Sequence, residues 1–238
     1  MSDKKSNSFL FGLTTGIAIV SLLGFLATII TSSLKVGQNQ AEPSRAVDIN
    51  DNTNNNVIAN DEPTKLAKID FEIKETDHIR GDKNAAITIM EYSDFQCSYC
   101  AKFNTTLNKA LEEYKGKIKV VYRHFPLDFH PFAEIAAKAS ECANDQNKFW
   151  EYADEIYKNQ ASFSEDYFEK AAKDIKLDTN KFNTCLNSGK YKDKVVADLE
   201  EGANYGITGT PGSFLNGEEL GGAVPYEQLK AEIEKLLK

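Results

Sequence analysis

The sequence predicts an α/β fold built as a strand–helix–strand unit, a block of helices, and a closing hairpin followed by one last helix. Three observations carry that prediction. Two short runs of apolar, β-branched and aromatic residues, Ile87–Tyr92 and Ile118–Phe125, flank a stretch whose apolar residues recur at helical spacing. From Pro131 to about Tyr205 the apolar patterns are helical. Two further short runs are then joined by Asn216-Gly217, a pair that favours a two-residue hairpin turn.

The amino terminus stands apart from this domain. Residues 9–31 carry no charge and are rich in Leu, Ile, Phe, Ala and Gly, long enough to span a bilayer as one transmembrane helix. Lys4 and Lys5 keep the tail, residues 1–8, in the cytoplasm, so the chain beyond the span is extracytoplasmic. A cleaved signal peptide is the rival reading. No A-x-A pattern stands before Lys35, so an uncleaved signal anchor in the cell membrane is expected. Residues 32–68 are rich in Asn and show no apolar period, which reads as a disordered linker spanning about 35 Å. The folded domain covers 69–238, with the helical block inserted at about 130–205.

Composition bounds the rest. Hydrophobic residues make up 41% and charged residues 27%, which excludes global disorder, collagen and a polytopic membrane protein. With 28 Lys+Arg against 36 Asp+Glu the net charge is -8, so no nucleic-acid partner is expected.

Within the domain, Ile87–Tyr92 suits a buried strand. Cys100, Phe103, Leu107, Ala110 and Tyr114 mark a helix that Gly116 is placed to end. Ile118–Phe125 is the second strand, parallel to the first. Pro131 fits the first turn of a helix carrying Phe132, Ile135, Ala136, Ala139 and Cys142. Phe149, Tyr152, Ala153 and Ile156 mark another, and Tyr167, Phe168 and Ala171 a third. Asp178 caps a helix through Phe182, Cys185 and Leu186 that Gly189 ends. Tyr191, Val195 and Leu199 mark one more. Ser213–Leu215 and Glu218–Leu220 form the hairpin, and Pro225 starts the final helix. This order is that of a thioredoxin fold with a helical domain inserted after its βαβ half.

Cys97 and Cys100 form a C-x-x-C where the first strand meets the first helix. Cys97 then sits at a helix N-terminus, where unpaired N–H groups stabilise a thiolate, while Cys100 begins the apolar stripe. One thiol should be exposed and acidic and the other shielded, which is the arrangement of disulfide exchange. Glu91 stands in an otherwise apolar strand, six residues before Cys97. A buried carboxylate needs a task or a partner, and a raised pKa would let it relay a proton to or from Cys100. Thr210-Pro211 enters a short strand, where a cis bond would place the Thr210 backbone beside the active disulfide. Zinc is disfavoured, since the C-x-x-C has no second pair and His78, His124 and His130 are scattered. His124 and His130 read as structural hydrogen-bonding residues, though either could face Cys97. The clusters Glu112-Glu113 and Glu200-Glu201 read as solvated helix faces.

The stretches DHIRGDKNAAITIMEYSDFQCSYC, YRHFPLDFHP and GITGTPGSFLNGEELGGAVPYEQL resemble the DsbA family of thioredoxin-like proteins, from about Asp77 to the C-terminus. The resemblance implies a thiol–disulfide oxidoreductase that introduces disulfides into reduced, unfolded secreted or cell-surface proteins. It implies Cys97 as nucleophile, Cys100 as resolving cysteine, Glu91 as buried acid, and Pro211 as a cis-proline preceded by Thr210. It also implies a membrane reoxidase of the DsbB or VKOR type, and no cofactor or metal. Ser98-Tyr99 departs from the Pro-His of the strongly oxidising enterobacterial enzyme, and Gly212-Ser213 departs from the Thr and aromatic residue common after the proline. Cys142 and Cys185 lie on apolar helix faces. They read as two buried thiols or, in an oxidising compartment, as a bridge, and the resemblance points to a structural disulfide. A reductase or isomerase, or a non-redox binding module, are the alternative readings of the same fold.

Overall fold

The strand that organises the domain is β2 (Ile87–Ser93), buried at every position. A strand buried on both faces must lie inside a sheet. It pairs in parallel with β3 (Ile118–His124) and antiparallel with β4 (Gly212–Leu215). β1 (His78–Gly81) runs antiparallel along the outer side of β3, and β5 (Glu218–Gly221) along the outer side of β4. The sheet order is β1-β3-β2-β4-β5. The structure is a computed structural model and describes residues 68–238. The expected cytoplasmic tail, the transmembrane span at 9–31 and the linker up to residue 67 lie outside the described residues. Among the described residues no helix is long and apolar enough to cross a membrane.

Alternation along β2 and β3 assigns their two faces. Ile87, Ile89, Ile118 and Val120 pack beneath α1 (Ser98–Glu113) and α7 (Tyr226–Leu236), with Phe103, Leu107, Leu229 and Ile233 above them. Met90, Tyr92, Val121 and Phe214 pack on the opposite face with Ile69, Phe71 and Ile73, whose alternate spacing lays the segment before β1 along the sheet. The register then sets Glu91 beside Tyr122 and Ser93 beside His124, at the ends of the parallel pair.

Between β3 and β4 the helical block comprises α2 (Ala133–Asn144), α3 (Phe149–Lys158), a 3₁₀ turn at Gln160–Ser162, α4 (Tyr167–Asp174), α5 (Thr179–Ser188) and α6 (Lys192–Asn204). Its own core gathers Phe149, Tyr152, Phe168 and Phe182 and runs on to Phe95 and Cys100. A disulfide joins Cys142 on α2 to Cys185 on α5. Asp178 caps α5 by accepting from the N–H groups of Asn180 and Lys181, both at 3.1 Å. Gly189 closes it in the left-handed conformation at φ 68°. Asn216 and Gly217 both take positive φ in the hairpin turn. Gly217 is required there twice over, since a Cβ would lie 2.1 Å from the Ile69 carbonyl.

Four sequence expectations need correction. Strand β1 had no signal, because HIRG is short and polar and takes its place only through β3. α1 ends at Glu113, so Gly116 lies in the following turn, and α2 begins at Ala133 rather than at Pro131. Glu201 is not a solvated residue: it pairs with the fully buried Arg123, accepts from the Tyr92 hydroxyl at 2.9 Å and meets Lys74 at 2.9 Å. Arg123 also pairs with Asp77 at 2.7 Å and donates to the Glu72 carbonyl at 2.6 Å, so its buried charge is met on every side.

The Cys142–Cys185 bond closes a loop of sequence separation 43. In the chain-entropy model such a loop contributes about 4 kcal/mol. The double variant Cys142→Ser/Cys185→Ser should therefore lower Tm by about 10 °C in a thermal scan. A Tm within about 2 °C of the parent would show that the cross-link adds little.

Candidate active site

Cys97 is the N-cap residue of α1, with extended φ and ψ of -73° and 121°. Its N–H donates to the Asp94 carbonyl at 3.1 Å, and its carbonyl accepts from Ala101 to start the helix. Its Sγ lies 3.4 Å from the Thr210 carbonyl. The Thr210-Pro211 bond is cis. Cys97 is 6% exposed and Cys100 is fully buried, both as free thiols. The expectation of an exposed Cys97 thus needs adjusting, because the Thr210 loop, 113 residues away, comes down over it.

The two thiols are pushed in opposite directions. A hydrogen bond from the Cys100 thiol is the largest influence on Cys97. Burial opposes it, and the Thr210 side chain and the backbone N–H groups of Cys100 and Tyr99 reinforce it, bringing Cys97 down to about 5. Burial, then the same hydrogen bond, then the charge of Glu91, hold Cys100 well above the thiol range. Burial pushes Glu91 up to about 7, against a hydrogen bond from Ser93 and the charge of Arg80. Glu91 is 2% exposed, so its carboxyl lies buried in the strand rather than facing solvent.

The sequence reading missed several residues that hold this arrangement. Asp94 is buried and ties the Cys97 loop together: one oxygen accepts from Gln96 N–H at 2.7 Å, the other from Leu127 N–H at 2.9 Å. His130 Nδ1 lies 2.7 Å from that second oxygen, so His130 serves Asp94. Gln160, from the 3₁₀ turn of the insertion, donates to the carbonyls of Phe95 at 2.7 Å and Cys97 at 2.9 Å. The Ser93 hydroxyl donates to Glu91 Oε1 at 2.8 Å and lies 2.8 Å from the Tyr157 hydroxyl. Ser93 was legible, since residues two apart on a strand share a face. Gln160 and Tyr157 arrive from the insertion and left no local signal. The two most exposed large apolar side chains among the described residues are Phe129 at 70%, between β3 and α2, and Tyr99 at 60%, in the first turn of α1.

His78 and His124 are not scattered. With Glu141 they bring three ligand-type atoms within 4.8 Å of one another, all buried. Both imidazole Nε2 atoms meet one oxygen, Glu141 Oε1, at 2.7 and 2.8 Å. Two ligands of a tetrahedral zinc ion stand about 3.3 Å apart. Lys194 already places an ammonium 3.1 Å from that same oxygen. The donor set therefore fits hydrogen bonding and ion pairing rather than a metal. Burial works against the Glu141 charge, but hydrogen bonds from His124 and then His78 hold the carboxyl below its ordinary range. Burial likewise lowers His124, which stays neutral.

A sequence profile of the family described as Thioredoxin matches residues 73–235. Among solved structures, Wolbachia pipientis α-DsbA1 is 28% identical with a TM-score of 0.62, covering 69% of this chain and 92% of that one. Bacillus subtilis BdbD, 23% identical with a TM-score of 0.59 over 67% of this chain and 91% of that one, shares the fold. Among curated proteins, the Na(+)/H(+) antiporter NhaA 1 of Salinispora arenicola is 32% identical over 160 residues, 67% of this chain. The antiporter NhaA of Herminiimonas arsenicoxydans is likewise 32% identical over 160 residues and 67% of this chain. The chain spans about a quarter of the length of these curated relatives (24% and 25%).

The Gln160 bonds should matter to Cys97. Gln160→Ala frees the carbonyls on either side of Gln96 and loosens the backbone that aims N–H groups at the sulfur. Thiolate absorbance at 240 nm in the reduced protein should then titrate about half a pH unit higher than in the parent. An unmoved midpoint would remove Gln160 from the account of Cys97 acidity.

Proposed function

We propose that this chain, which belongs to the Thioredoxin family and is a thiol–disulfide oxidoreductase of DsbA type, works in the oxidising direction outside the cytoplasm, introducing disulfides into reduced, unfolded secreted or cell-surface proteins. The observation that carries the direction is the opposed acidity of Cys97 and Cys100. A thiolate stabilised at Cys97 favours the reduced dithiol, so the Cys97–Cys100 disulfide readily gives up its bond to a substrate.

In the oxidised protein a substrate thiolate attacks Cys97 Sγ. The Cys97–Cys100 bond breaks, and Cys100 leaves as a thiolate that takes the proton of a neutral Glu91 carboxyl. A second substrate thiolate attacks the substrate sulfur of the mixed disulfide. The substrate disulfide forms and Cys97 leaves as its stabilised thiolate. The two electrons now on the dithiol pass to a membrane reoxidase of the DsbB or VKOR type. The Thr210 carbonyl, 3.4 Å from Cys97 Sγ, offers a backbone acceptor to an extended substrate strand. Exposed Tyr99 and Phe129 give an unfolded chain apolar surface beside it. The Cys142–Cys185 bond and the apolar stretch at 9–31 after Lys4 and Lys5 support an anchored, extracytoplasmic domain. No organic cofactor or metal enters this chemistry.

The reduction potential of Cys97–Cys100, measured by equilibration with glutathione, tests the direction. A value near about -120 mV is expected of a disulfide donor, and about -270 mV would make the protein a reductase. Cys97→Ser should abolish disulfide formation in a reduced substrate.

Linkage gives a second check. A thiol lowered to about 5 in the folded state stabilises the reduced protein fully above its unfolded pKa of about 8.5, and that contribution is lost as pH falls through 5. The disulfide form lacks this contribution, since its sulfurs do not titrate. Glu91, raised to about 7 chiefly by burial, acts with the opposite sign, since the folded state takes up its proton first as pH falls. The stability gap between reduced and oxidised protein, from urea midpoints, should therefore shrink between pH 9 and pH 5. A gap independent of pH would contradict an acidic Cys97.

A further inference from the structure

Ser93 and Tyr157 form a hydroxyl chain that ends on Glu91. Glu91 and Ser93 face the same side of β2, and α3 of the insertion delivers Tyr157 against them. All three are buried, at 2%, 1% and 6% exposure. Ser93 Oγ lies 2.8 Å from Glu91 Oε1 and 2.8 Å from the Tyr157 hydroxyl. A serine hydroxyl has one hydrogen. When Ser93 gives it to the Glu91 carboxylate, the contact with Tyr157 is made by the phenol donating. Burial keeps the Tyr157 phenol well above its usual range, so it stays a protonated donor. Both donors then point toward the carboxylate and polarise one another.

We propose that Ser93 and Tyr157 are positioning residues that hold the Glu91 carboxylate in its ionised form, so that the inserted helices set the pH at which Glu91 exchanges a proton with Cys100. The proposal rests on the redox reading for its purpose and on the geometry alone for the chain itself. In the step concerned, the Cys100 thiol gives its proton to the carboxylate, leaving a thiolate and a neutral carboxyl; the reverse transfer occurs when Cys100 leaves as thiolate. A hydrogen bond to a charged acceptor is worth about twice one to a neutral acceptor, so losing it costs the ionised form more. Other groups face Glu91 as well. Arg80 on β1 draws its pKa down, and Cys97 on α1 raises it. Cys100 on α1 and Tyr122 on β3 are both held protonated by burial and by the Glu91 charge. Ser213, opposite Glu91 on β4, spends its hydroxyl on the Gly221 carbonyl at 3.2 Å. None of these replaces the donor that Ser93 supplies.

The test follows the carbon-13 shift of the Glu91 carboxyl against pH in the full chain, assigned by its loss in Glu91→Gln. The parent should titrate near 7. Ser93→Ala should move that midpoint up by about one pH unit, and Tyr157→Phe by about half as much. Ser93→Thr keeps the hydroxyl and should restore it. Tyr152→Phe, on the same helix but bonded to the Phe168 carbonyl at 3.0 Å, should leave it unmoved. The pH profile of Cys97–Cys100 closure should follow the same order. Midpoints unmoved in Ser93→Ala and Tyr157→Phe, with native near-ultraviolet dichroism, overturn the chain. Carboxyl midpoints that move while the closure profile does not overturn its role. A parent protein that exchanges no disulfides defeats the redox reading, whatever the carboxyl shows.

Discussion

Exclusion of water from the side of β2 on which Cys100 rests is the constraint that the rest of the site answers to. Cys100 has no exposed surface and Glu91 almost none, so burial drives each toward its neutral form. Negative charge is admitted at the edge of this region, on Cys97, where main-chain N–H groups and Thr210 receive it. The three groups consequently form a graded series: Cys97 at about 5, Glu91 at about 7 and Cys100 above both. A proton leaving Cys100 has an acceptor of intermediate strength beside it. Cys97, the strongest acid of the three, is already ionised at neutral pH.

The insertion makes this arrangement possible by covering what the sheet leaves open. Its contacts with the sheet are apolar, through Phe95 and Tyr122 against Phe149 and Tyr157, and polar as well. Arg80 of β1 pairs with Asp154 of α3 at 2.7 Å and lies over the Trp150 ring at 4.3 Å. His78 of β1 and His124 of β3 meet Glu141 of α2, and Lys194 of α6 bridges Glu141 and Asp198. The pairs of Lys194 with Glu141 and Asp198 are largely buried and add little net stability, because desolvation offsets their attraction. The polar contacts together do fix one orientation, since any sliding of the helices strands a charge. That orientation delivers Tyr157 to Ser93 and Gln160 to the carbonyls on either side of Gln96. Phe149 stacks on His78 with ring centroids 3.5 Å apart, so the seam is apolar and polar at once.

What the sequence revealed was local, and what it concealed was not. Strands β2 and β3, helix α1, the Asp178 cap and the Asn216-Gly217 turn each depend on residues within a few positions of one another. Glu91 was legible because a carboxylate in an apolar strand has few explanations, and the C-x-x-C because its place at a strand–helix junction has a chemical meaning. Strand β1 was invisible, since His78–Gly81 forms a strand only against β3. The histidines looked scattered because the chain brings positions 78 and 124 together only after the sheet has formed. Glu201 looked solvated because its partner Arg123 lies on a strand 78 residues earlier. Cys97 looked exposed because the residue that covers it, Thr210, is more remote still, 113 residues away.

The source of the Cys97 acidity has a consequence of its own. The influences that lower it are the Cys100 thiol, Thr210 and the backbone N–H groups of residues 99 and 100, with no charged side chain among them. Ser98 and Tyr99 add no side-chain bond to the sulfur among these influences; Tyr99 instead turns outward, with the Lys102 ammonium 5.2 Å from its ring centroid. Attraction between exposed charges fades with added salt over a Debye length of about 8 Å, whereas hydrogen bonds at contact distance do not. The thiolate here is thus held by hydrogen bonds, first from the Cys100 thiol and then from Thr210 and the main chain, rather than by a charged side chain. It is correspondingly exposed to anything that changes the path of residues 94–97. Asp94 binds that path from one side through Gln96 and Leu127, and Gln160 binds it from the other through two carbonyls. The acidity of one sulfur is in this way made a property of the loop that carries it, and the insertion, which never touches the sulfur through these bonds, becomes part of its chemistry.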